Sequence, residues 1–95
     1  MSAFLSATVR VKNPEKLQEY ISQVPATIAA HGGEKVSRGR VHSVLAGEVS
    51  HQISAVFRFP SAEAIETWYN SEEYQKLIPV RDEGAEVTVV VLTEF

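Results

Sequence analysis

The sequence predicts an α+β domain whose elements run strand, helix, strand, strand, helix, strand (βαββαβ), a four-stranded antiparallel sheet with its helices on one face. Three observations predict it. Residues 3–11 alternate in character, with Ala3, Leu5, Ala7, Val9 and Val11 on one parity and Phe4, Ser6, Thr8 and Arg10 on the other. Leu17, Tyr20, Ile21, Val24 and Ile28 recur every three or four positions, as one stripe of a helix does. Residues 86–92 are rich in valine and close the chain with a second clear strand.

Each element has its own signals. After the first strand, Asn13 is an N-cap with Pro14 at the first helical position and Glu15 at the positive helix end. The helix runs towards His31, where Gly32 and Gly33 stop it, and Pro25 should kink or break it. Residues 34–59 read as a hairpin, with strands near 41–46 and 53–59, a turn around Gly47 and Glu48, and a bulge or bend at Gly39. Pro60 and Ser61 end that hairpin and open a second helix with Ile65, Trp68 and Tyr69 as its buried stripe. Ser71 caps a further short helix that carries Glu72 and Glu73 in its first turn, and Pro79 limits it.

The 95 residues suffice for one domain, spanning 1–95, and not for two. The charge of -3 and the scattering of nine basic residues without a cluster argue against nucleic acid as a partner. The absence of cysteine excludes disulfides, thiolate nucleophiles and cysteine-held metals, and agrees with a reducing cytoplasm. No basic, apolar leader opens the chain, and no stretch approaches the roughly 20 apolar residues of a membrane span. A cytoplasmic protein is the expectation.

Helices can cover only one sheet face, to which the parity Leu5, Val9, Val11, Ile53, Phe57 and Phe59 is assigned. The other face would carry Phe4, Ser6, Thr8, Arg10, His42, Val44, Ser54, Val56 and Arg58. The last strand is apolar on both parities, Val87, Val89 and Val91 against Val90 and Leu92, which is the pattern of two-sided burial. A second copy of the chain is the economical cover, so a homodimer through the open sheet face is expected.

The run His31-Gly32-Gly33, then Arg38-Gly39, Phe59-Pro60-Ser61, Trp68-Tyr69-Asn70-Ser71-Glu72-Glu73-Tyr74-Gln75 and Arg81 resembles the bacterial domain-of-unknown-function family 1330 over essentially the whole chain. The resemblance implies a ferredoxin-like fold of the dimeric α+β barrel kind. It also implies a superfamily containing small monooxygenases, isomerases and haem-dependent enzymes, among which fold does not fix function.

Trp68, Tyr69 and Tyr74 gather three aromatics within seven positions, with Ser71 between them and Arg81 close by. A guanidinium beside aromatic walls suits a small metabolite, an anionic one where Arg81 or Arg38 anchors it, in a pocket beside the second helix. The same aromatics equally suit a helix core, with Arg81 paired to Glu73 or Asp82. His31 is a proton donor in a cleft or a simple C-terminal cap. His42 and His51 find no third ligand, so no metal site is expected, and no cofactor is specified, although a single histidine would suffice for haem. No nucleophile elbow or phosphate-binding glycine loop is present. Three readings therefore stand: a ligand-binding protein or cofactor-independent enzyme, a non-catalytic homodimeric module, and a haem binder.

Overall fold

The computed structural model describes residues 2–95. Strands β1 (Ala3–Val11), β2 (Glu34–Arg40), β3 (Ile53–Phe59) and β4 (Ala85–Thr93) form one antiparallel sheet in the order β2-β3-β1-β4. Helices α1 (Pro14–Ala29), α2 (Ala62–Tyr69), α3 (Glu72–Gln75) and α4 (Ile78–Gly84) complete the ferredoxin-like βαββαβ arrangement. None of these helices is long and apolar enough to cross a membrane.

The register fixes the faces. Ala3 pairs with Phe59, Leu5 with Phe57 and with Val91, and Val9 with Ile53 and with Val87. These residues share one parity, and the buried cluster of Ala3, Leu5, Phe59, Ile28 of α1, Ile65 and Trp68 of α2, and Tyr74 of α3 lies on that side. On the opposite face Val90 and Leu92 are exposed, next to Ser6 and Phe4. That face also carries two cross-strand ion pairs, Arg10 with Glu86 and Arg58 with Glu34.

The helix ends follow the expected chemistry. The Asn13 side chain accepts from the Glu15 and Lys16 amides, Ser61 accepts from Ala64, and Ser71 accepts from Tyr74. Gly32, at φ 80°, turns the chain out of α1 in a backbone conformation that a side chain would strain. At Gly84 a Cβ would stand 2.5 Å from the Leu17 amide nitrogen, so only glycine lets α4 touch the start of α1. The Gly84 carbonyl there accepts from the Lys12 and Asn13 amides.

Three local expectations fail. The strand expected near 41–46 is instead β2 at Glu34–Arg40, and residues 41–50 form an exposed loop that carries His42, Val44, Leu45 and Val49 off the sheet. A charged, glycine-containing segment becomes the strand because it pairs with β3, and tertiary pairing outweighs the weak intrinsic preference of EKVSRGR. The bulge lies between Lys35 and Ser37, not at Gly39, which pairs regularly with Ser54. Finally, α1 continues through Pro25, so of the kink or break expected there the break does not occur.

Candidate functional site

An apolar cavity of about 100 Å³ lies between the helix-covered face of the sheet and α1. Leu5, Ala55, Phe57 and Val89 supply its floor, and Ile21, Val24, Trp68, Tyr20 and Tyr74 its roof. Leu17, Ile21, Arg38 and Ile53 also line a surface cleft of about 670 Å³ between α1 and β2, so the cavity is the inner end of that cleft. Arg38, Arg40, Gln18 and Gln52 are the polar side chains of the cleft, and neither space is lined by a carboxylate.

Arg38 and Arg40 differ from the chain's other arginines. Arg10, Arg58 and Arg81 each meet a carboxylate, whereas Arg38 and Arg40 have no ion-pair or hydrogen-bond partner among the described residues. Both lie on β2, at positions paired with Ala55 and Ile53, which places them on the cavity side of the sheet. In a chain of charge -3, two unpaired guanidinium groups at the mouth of an apolar cavity form a local positive site.

Two hydrogen-bonded chains run through the inner wall. Trp68 is 2% exposed and Tyr74 is fully buried, their ring centroids 4.3 Å apart. The Trp68 Nε1–H donates to Thr27 Oγ1 at 2.9 Å, and Thr27 Oγ1 donates in turn to the Val24 carbonyl. The Tyr20 and Tyr74 hydroxyls share one hydrogen bond of 2.8 Å. Arg81 Nη1 donates to the Tyr74 and Tyr69 hydroxyls, each at 3.1 Å, and its Nε donates to Asp82. Burial works against the Arg81 charge, but these hydrogen bonds outweigh it and hold the guanidinium above its ordinary range. Burial first, and Tyr74 second, push the Tyr20 phenol above its ordinary value.

The candidate residues named from sequence therefore divide. Trp68 and Tyr74 line the cavity and are at the same time core, so the two alternatives for the aromatics merge. Arg38 reaches the same cavity from β2. Tyr69 and Arg81 face a separate groove of about 310 Å³ between α2 and β4, and Arg81 pairs with Asp82 rather than Glu73. Ser71 serves as the α3 cap, donating to the Trp68 carbonyl. His31 Nδ1 lies 3.0 Å from the Thr27 carbonyl at the end of α1 and lines neither space. From sequence Tyr20 was read only as part of the α1 stripe, and Thr27 was not singled out. Their signal was a phenol and a hydroxyl beside an aliphatic stripe, groups that demand partners when buried.

A family model for a domain of unknown function, DUF1330, matches residues 2–95. The chain belongs to this family. No curated protein matches it. Among solved structures, it is similar to a protein of unknown function from Rhodopseudomonas palustris, at 15% identity and TM-score 0.84, covering 99% of this chain and 82% of that one. A dimeric ferredoxin-like protein of unknown function from Jannaschia sp. CCS1 matches at 9% identity and TM-score 0.79, over 99% and 100% of the two chains. SnoaB, a cofactor-independent oxygenase from Streptomyces nogalater, matches at 8% identity and TM-score 0.72, over 99% and 93%. At such identities the likeness is one of fold, the ferredoxin-like fold of dimeric relatives.

Proposed function

We propose that the protein binds a small organic acid with an apolar body, which lies in the cavity while its carboxylate meets Arg38 and Arg40 at the mouth. The observation that carries this reading is the pair of arginines without carboxylate partners beside an acid-free apolar cavity. Arginine matches a carboxylate in two parallel hydrogen bonds, and the apolar body gains about 25 cal/mol per Å² removed from water. The cavity is smaller than the roughly 300 Å³ of ordinary ligand sites, so the body extends into the wider cleft. Whether conversion follows binding is a separate matter; SnoaB supports only that this fold can host chemistry without a cofactor.

Thermal shift with hexanoate, benzoate and the matching alcohols tests the reading. A ligand at a hundred times its Kd adds about 2.7 kcal/mol of stability. The acids should raise the melting temperature and the alcohols should not, and an Arg38→Ala/Arg40→Ala variant should lose the difference. Equal shifts from acids and alcohols, or none, would remove the anchor.

The same proposal includes a homodimer formed through the open face, where Val90 and Leu92 stand exposed in the single chain. Light scattering should give twice 10.5 kDa at micromolar concentration, and Val90→Lys or Leu92→Lys should return the mass to 10.5 kDa. A wild-type monomer would contradict it.

A further inference from the structure

We infer that the acid held in this cleft carries a second oxygen, a carbonyl-type acceptor, at its buried end. The inference rests on the cleft reading above and names the class of ligand within it: an oxo acid, with the carboxylate at the mouth and the carbonyl inside.

Counting protons at the inner wall leads there. Trp68 Nε1–H is committed to Thr27 Oγ1, and the Thr27 hydroxyl proton is committed to the Val24 carbonyl. The Tyr20 and Tyr74 hydroxyls bring two protons and share one hydrogen bond. Arg81 Nη1 also faces the Tyr74 oxygen, but it can only donate. Whichever phenol donates to the other, one phenolic proton is left with no acceptor among the described residues. Both tyrosines line the cavity, so whichever phenol keeps the spare proton belongs to the wall of an otherwise apolar space. Tyr74 is fully buried and Tyr20 half-buried, so the spare proton is poorly hydrated, and a ligand oxygen would accept it.

The neighbourhood sets the character of that oxygen. No carboxylate lines the cavity, so a ligand ammonium or amide N–H entering it would find no charged acceptor. Arg81 acts as a positioning residue: its donation to Tyr74 polarises that hydroxyl and makes it a better donor. Burial keeps Tyr20 protonated over the ordinary pH range, so the pair offers a proton to share and not a base. The arrangement selects an acceptor at one end of the molecule and an anion at the other. Two polar ends of different kind fix the ligand's direction as well as its identity.

Isothermal titration with 5-oxohexanoate and with 5-methylidenehexanoate separates this inference from the one beneath it. The two acids have the same shape and differ only in the carbonyl oxygen. Wild-type protein should bind the oxo acid about tenfold more tightly, the fold-change of one hydrogen bond gained. A Tyr20→Phe/Tyr74→Phe variant should bind both acids alike. Its two apolar replacements keep the shape of the originals, and Arg81 retains Tyr69 and Asp82 as acceptors. Equal binding of the two acids by the wild type, a comparison that needs no variant to fold, would overturn the inference while leaving the cleft reading intact. A preference that survives in the double variant would overturn it too. Failure of both acids to bind would instead refute the cleft reading itself.

Discussion

Arg81, behind the aromatic wall of the cavity, and Arg38, at its mouth, carry the same guanidinium under opposite conditions. Arg81 has a side chain only 12% exposed, and donates to Tyr69, Tyr74 and Asp82, so it is woven into the wall. Arg38, with Arg40 beside it, is exposed on a strand and meets no carboxylate among the described residues. A charge that is already satisfied holds structure together, whereas an unsatisfied one at a cavity mouth is available to a ligand. The residue type alone does not distinguish these roles; the partners do.

The largest effect should come from the wall that Arg81 supports. Trp68 packs against Phe59, Tyr69 and Tyr74, with ring centroids 5.9, 6.0 and 4.3 Å away, so Trp68→Ala should cost about 3–5 kcal/mol in urea unfolding. A loss below about 1 kcal/mol would mean that the ring is a loose pocket wall, not core. Next, Arg81→Ala should cost about 1–3 kcal/mol, because two phenol oxygens lose their donor. A loss near zero would break the contrast with Arg38.

The wall also predicts a pH response. The unfolded chain releases the Tyr20 proton from its ordinary value near pH 10 upward, while the folded chain keeps it. The stabilisation from this group is therefore full below pH 10 and falls as pH rises further, by up to about 1.4 kcal/mol per pH unit. Urea midpoints between pH 10 and pH 11 should fall more steeply for the wild type than for Tyr20→Phe. Parallel slopes would mean that the Tyr20 hydroxyl is solvated. The smallest effect belongs to the other arginines, since Arg38→Ala and Arg40→Ala should each change stability by no more than about 0.5 kcal/mol.

Much of the fold was legible because local chemistry and tertiary packing agree. Residues 3–11 alternate and become β1, Asn13-Pro14 and Ser61 cap helices, and the paired glycines end α1. The second strand was misplaced because residues 41–46 look apolar, while the true β2 has no alternation of its own and depends on β3 for its shape. The site was legible only in part. Arg81 was read as close to the aromatics, and it does donate to Tyr74, but from a separate helix that begins at Ile78, with Pro79 in its first turn. The contact of Tyr20 with Tyr74 joins residues 54 apart, and no local pattern announces it. The unpaired state of Arg38 is a property of what the fold leaves out of reach, which one sequence does not display.

Trp68 is the chain's only tryptophan and lines the cavity, so its emission reports directly on occupancy. Titrating hexanoate should change that emission saturably, with Kd raised at least about tenfold by Arg38→Ala/Arg40→Ala and unchanged by Lys76→Ala, a charge removed away from both the cavity and the cleft. An emission that never responds, or a response that the arginine variant leaves untouched, would contradict an acid-binding cleft.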